Sequence, residues 1–180
     1  IAGAKTAATQ LGYPVILKGM APNVAHRSDA GLVSEKISDD AGLEKSFAAI
    51  AAKLAAPDAI SVEKFVDHEL EVILGVKYDA TFGPVILCGL GGIFTEVLKD
   101  FALRLAPLTK GDAAQMLAAL KASPVLQRSQ QNIDLLVDAL LRLSELAVEL
   151  KGKIQAADIN PIGLGGDAAQ AIVLDAKIHL

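Results

Sequence analysis

Gly12-Tyr13-Pro14-Val15-Ile16-Leu17-Lys18 sets a glycine stop, a short apolar run and a cation in direct succession. The preceding Ala2–Leu11 segment reads as a helix ending at Gly12, so residues 13–17 read as a buried strand that delivers Lys18 at its end. Beyond a polar loop at 22–31, residues 32–37 look like a return strand. Leu43, Phe47, Ile50 and Leu54 then form a helical stripe, which Asp39 or Asp40 can cap. A third strand at 59–66 completes a small unit of mixed helix and sheet.

Past that point residues 70–77 and 84–87 read as strands of a second sheet. Thr109-Lys110-Gly111-Asp112 has the spacing of a capping box, with Pro124 just beyond the helix it opens. Ile133, Leu136, Val137, Leu140, Leu143, Ala147 and Leu150 predict a longer helix with Asn132 as its cap and Gly152 as its stop. Strands at 154–159 and 171–174 follow. The expectation is an α+β fold of two small subdomains, residues 1–66 and 67–180, with a cleft between them.

Composition excludes several classes. A formal charge of −4, five phenylalanines, two tyrosines and no tryptophan give neither the basic field nor the stacking surface of a nucleic-acid binder. A single cysteine, Cys88, allows no internal disulfide and no thiolate cluster, and it suits a reducing cytoplasm. The longest uncharged run, residues 81–95, is too short for a spanning helix and is broken by glycines and Pro84, so no membrane partner is expected. A start at Ile1 rather than methionine reads as a chain cut from something longer.

The residues that could carry chemistry fall in five places. In Asp158-Ile159-Asn160-Pro161, strand alternation puts Asp158 and Asn160 on one face, and Asp175 on the following strand could add a third oxygen ligand for Mg2+. An Asx turn before proline explains the same residues without a metal. Lys18 is either a phosphate contact or a snorkelling edge residue. Glu63 and Glu71, either side of the subdomain switch, could accept ribose hydroxyls or adenine amino protons, or could be ordinary solvated acids. Gly89-Leu90-Gly91-Gly92 lacks both the dinucleotide and the P-loop pattern, yet its amides could meet an anion, or the cluster could be a plain tight turn. His26, in a loop with Arg27 and Ser28, could carry phosphate as a nucleophile or be a plain surface histidine.

Taken together, Gly12-Tyr-Pro-Val-Ile-Leu-Lys18, His26-Arg-Ser-Asp29, Phe82-Gly-Pro84, Gly89-Leu-Gly-Gly-Ile-Phe-Thr-Glu96, Arg104-Leu-Ala-Pro-Leu108 and Asp158-Ile-Asn-Pro161 resemble the ATP-grasp domain of NDP-forming acyl-CoA synthetases. The strings occur in the family's order across residues 11–178. Arg27, Leu32 and Ala80 depart from its usual lysine, glycine and proline, and residues 127–131 lack its glycines and prolines.

The resemblance implies an ATP-grasp fold, incomplete at its N-terminus, gripping ATP or ADP with Mg2+. Lys18 would contact the phosphates, Glu63, Lys64 and Phe65 would form the adenine-side hinge, and Glu71 would line the nucleotide pocket. Asn160 and Asp175 would hold magnesium. Asp158 would sit beside the transferred phosphoryl group, and His26 would be a second phosphate carrier. The activity implied is interconversion of acyl-CoA, ADP and phosphate with free acid, CoA and ATP through a phosphohistidine. It would need CoA-binding and ligase domains as partners, on the same chain or an associated one, so this chain alone is expected to be inactive in the full reaction. Association into a homo-oligomer is left open. The alternative implied is a regulatory, non-catalytic module of a bacterial protein acetyltransferase.

Overall fold

The structure is a computed structural model, and it describes residues 1–21, 24, 30–55, 59–91, 99–165 and 168–180. They form two compact units, Ile1–Phe65 and Val66–Leu180.

In the first unit, helix α1 (Ala2–Leu11) and helix α2 (Asp40–Ala51) pack on an antiparallel pair, β1 (Val15–Met20) and β2 (Ala59–Lys64). Asp39 caps α2, its carboxylate accepting from the Gly42 amide at 2.8 Å. Val15 and Leu17 point to the core with Ala8, Leu43 and Ile50, while the alternate residues of β1 are less buried. Two expectations change here. Lys18 lies inside β1, opposite Ser61, rather than at its end. Residues 32–37 run beside β1 but form only isolated bridges, Lys18 to Val33 and Val15 to Ile37. Between those bridges the Leu17 amide donates to the Ser34 hydroxyl at 2.9 Å, so a side chain occupies the place of a ladder carbonyl and regular pairing is interrupted.

The second unit is an antiparallel six-stranded sheet under a helical layer. Its strands are β3 (Leu70–Asp79), β4 (Gly83–Leu90), β5 (Phe101–Leu105), β6 (Ala156–Gly165), β7 (Ala168–Val173) and β8 (Ala176–His179). The order is β5-β4-β3-β6-β7, with β8 also pairing with β6. Helices α3 (Lys110–Ala119), the short α4 (Ser123–Leu126) and α5 (Gln130–Glu149) supply Met116, Leu117, Leu126, Leu136 and Leu140 to a core floored by Val72, Leu74, Val76, Ile86 and Cys88. The expected capping box is present: the Thr109 hydroxyl accepts from the Asp112 amide, and the Asp112 carboxylate from the Thr109 amide. The cap of α5 is Ser129 rather than Asn132; its hydroxyl accepts from the Asn132 amide, so the helix begins a turn earlier than its apolar stripe.

The strand expected to end near Ile159 continues through Pro161 to Gly165. A bulge makes this workable. Leu74 pairs with Ile159 but Val72 pairs with Ile162, so Asn160 and Pro161 together oppose a single residue of β3. The alternation shifts by one there: Ala157 and Ile159 face the helices before it, Ile162 and Leu164 after it.

Candidate functional site

On the first unit, Lys18 and Glu63 sit on the paired strands β1 and β2, with the Lys18 Nζ 2.7 Å from the Glu63 Oε2. The other Glu63 oxygen accepts from the Ser61 hydroxyl at 2.9 Å, since Ser61 and Glu63 lie two residues apart on one strand face. The lysine side chain is mostly covered, which fixes a cation on a rigid strand. The two residues that follow are used differently. The Lys64 ammonium donates to the Gly12 and Tyr13 carbonyls at 2.7 and 3.2 Å, closing the end of α1. The Phe65 amide donates to the Pro14 carbonyl at 3.1 Å, and the Lys36 ammonium lies 5.0 Å from its ring centroid. The side chains of Lys64 and Phe65 thus have structural work within this unit.

On the second unit, the bulge brings Asn160 against the break between β7 and β8. There the Asn160 amide donates to the Asp175 carbonyl at 2.9 Å, and the Leu174 amide donates to the Pro161 carbonyl at the same distance. The main chain thereby makes Asn160 and Asp175 immediate neighbours where β6 meets the break between β7 and β8. The Asp175 Oδ1 also accepts from the Ala176 amide at 3.0 Å. Asp158 lies two residues before Asn160, across from Gly75 on one side and Lys177 on the other, with the His179 Nε2 at 3.8 Å.

This donor set fits magnesium. Among the described residues no three His, Cys, Asp or Glu side chains converge as an all-protein cage. A carboxamide and a carboxylate suit a hard ion that takes its remaining oxygens from phosphate and water.

Glu71 lies near the start of β3, where its Oε1 is 2.8 Å from the His68 Nε2. His68, which from the sequence reads as a plain surface histidine like His179, is instead bonded to Glu71, and Ser61 has no sequence-based expectation at all; an i, i+3 spacing to Glu71 and an i, i+2 spacing to Glu63 were the available signals. His26 and the stretch Gly92 to Glu96 lie outside the described residues. A depression of about 1040 Å³, lined in part by Lys77, Asp79, Lys151, Lys153 and His179, includes none of the expected site residues.

Comparison with known proteins gives these residues a context. Residues 2–180 match the family model described as an ATP-grasp domain. The chain belongs to the ATP-grasp domain family. It is 39% identical to the acetate–CoA ligase [ADP-forming] I subunit beta of Pyrococcus furiosus, over 95% of this chain and 77% of that one. It is 37% identical to the acetate–CoA ligase [ADP-forming] I of Archaeoglobus fulgidus, over 88% of this chain but only 24% of that longer protein. Among solved structures, the ATP-grasp chain superposes with a TM-score of 0.81 and 31% identity on the dinucleotide forming acetyl-coenzyme A synthetase 1 of Ca. Korarchaeum cryptofilum, covering 98% of this chain and 81% of that one. That structure holds coenzyme A and Mg-AMPPCP, with its phosphohistidine segment pointing towards the nucleotide binding site. The α+β ATP-grasp fold expected from the motifs is therefore established. Among the described residues, no helix is long and apolar enough to cross a membrane.

Proposed function

We propose that this ATP-grasp chain is the nucleotide-binding portion of an ADP-forming acyl-CoA synthetase, an acid–thiol ligase of the cytoplasm. The observation that carries the reading is the main-chain pairing that sets Asn160 beside Asp175, two residues with oxygen donors, on a chain whose relatives are ADP-forming ligases. Lys18 would neutralise nucleotide phosphate from the first unit, where the backbone around Glu63, Lys64 and Phe65 would receive the adenine. Glu71 would accept ribose hydroxyls. Asn160 and Asp175 would hold Mg2+, which when bound would neutralise phosphate oxygens and fix their orientation.

In the direction of ATP synthesis, the N–P bond of a phosphohistidine on a partner domain breaks as a terminal β-phosphate oxygen of ADP forms the new O–P bond. The imidazole nitrogen keeps the electron pair. Such a transfer asks little covalent chemistry of the protein; positioning and charge neutralisation are what Lys18 and the magnesium pair would supply. Asp158 would stand beside the moving phosphoryl group, and His26 would serve as a second carrier. CoA-binding and ligase-CoA domains, on the same chain or an associated one, would complete the reaction acyl-CoA + ADP + phosphate = acid + CoA + ATP.

Calorimetry with MgADP and MgATP tests this. Lys18→Ala and Asn160→Ala should each weaken binding by about tenfold or more, the loss expected when a charge-assisted contact is removed. Equal affinity in the wild-type chain and both variants would sink the site assignment.

A further inference from the structure

His68 belongs to none of the motifs quoted above, yet its ring is held at both nitrogens. It lies just inside the second unit, with Nδ1 at 3.1 Å from the Val66 carbonyl oxygen and Nε2 at 2.8 Å from the Glu71 Oε1. A carbonyl oxygen and an ionised carboxylate are both pure acceptors, and a neutral imidazole has only one N–H to give. The imidazolium alone satisfies both. Burial pulls the His68 pKa down, but the bonds to Glu71 and Val66 and the charges of Glu71 and Asp67 outweigh it and leave the group above its ordinary 6.5.

Among the described residues, those two carboxylates are the charges acting on the ring. Strand β6 meets it with uncharged Gly163, where a Cβ would stand 3.1 Å from the His68 Cβ and Cγ. The main chain of Glu71 is fixed as well. The Gly91 amide donates to its carbonyl at 2.8 Å, Gly163 pairs with it across β6, and a Cβ on Gly91 would come within 2.8 Å of the Glu71 Cβ. What freedom remains at Glu71 lies in its side chain, and there His68 acts.

We propose that His68 is a positioning residue for nucleotide binding, holding the Oε1 of Glu71 so that the Oε2 is presented to a ribose hydroxyl. The inference rests on the reading of Glu71 as a nucleotide-pocket residue. The imidazolium does two things: it selects one carboxylate rotamer, and it cancels a negative charge that would otherwise oppose an incoming polyphosphate. As pH rises through the His68 pKa the ring loses a proton, one nitrogen lone pair then faces an oxygen lone pair, and one of the two bonds is given up. Nucleotide affinity should fall with it.

Two measurements test this. By NMR, the His68 ring should titrate above 6.5 in the wild-type chain and move down in Glu71→Gln. By calorimetry, MgADP affinity is compared at about pH 6 and about pH 8.5 in the wild type, His68→Gln and His68→Ala. Each variant is read as a ratio to wild type, so that protonation of the nucleotide cancels, and melting curves confirm that each is folded. His68→Ala should bind about tenfold more weakly at the lower pH and approach wild type at the higher. His68→Gln, which keeps one donor but no charge, should fall between them and serves alone if the alanine variant does not fold. Ratios of one at both pH values would overturn the role of His68 while leaving the nucleotide site intact. A wild-type chain whose His68 titrates as described but which binds no MgADP would overturn the reading of Glu71, and this inference with it.

Discussion

Tyr13 shows how much one contact decides at the scale of a residue. Its hydroxyl donates to the Asp40 Oδ1 at 2.7 Å, and that bond, then burial and the charges of Asp40 and Asp39, push the phenol up to about 12. Tyr78, whose hydroxyl donates to the Ala147 carbonyl, is raised by burial. The raised pKa fixes the sign: the stabilising effect of the Tyr13 contact is complete below the ordinary value near 10 and is lost as pH rises through about 12. With two tyrosines and no tryptophan in the chain, absorbance at about 295 nm follows both phenols cleanly. The folded chain should ionise above pH 10 at both, and Asp40→Asn should bring one of them down. A wild-type titration centred at 10 would contradict the contact.

At the scale of an element, termini and bends decide more than propensity does. Asp100 is a buried carboxylate whose two oxygens accept from the Lys121 and Ala122 amides at 2.8 and 2.9 Å, tying the start of β5 to the turn between α3 and α4. Asp100→Ala leaves two amides without their acceptor and should cost about 3 kcal/mol in urea unfolding. Thr109→Ala, which removes one half of an exposed capping box, should cost about 1 kcal/mol. Equal losses would contradict this ordering.

The same contrast explains what the sequence made legible. Periodicity revealed α2 and α5, and the Thr109–Asp112 spacing revealed the start of α3, because those signals are local. The interruption at Ser34 and the bulge at Asn160–Pro161 depend on partners seventeen and more residues away, and no local pattern announces them. The candidate site divides along the same line. Asn160 and Asp175 could be named singly, but their adjacency exists only where β6 crosses the β7–β8 break, and the His68 contact needed the turn into β3.

At the scale of the whole molecule, each unit has its own core: Leu17, Leu43 and Ile50 in the first, and Leu74, Leu136 and Leu140 in the second. Leu140→Ala should destabilise the second unit by about 2–5 kcal/mol, the range for a cavity left in a packed core. Hydrogen exchange should then quicken first in β3, β4 and β6, whereas Leu43→Ala should quicken β1 and β2 first. Uniform acceleration across both units in either variant would show one cooperative core instead.

Cys88 sits on β4 in that second core, where burial above all pushes its thiol up to about 12. A thiol so protonated and so enclosed reacts with alkylating reagents only when the sheet parts from its helices. Since it is the sole sulfhydryl of the chain, every modified molecule records one opening of that unit. The unaltered protein therefore carries its own unfolding clock, readable by mass spectrometry in a crude extract without any engineered label.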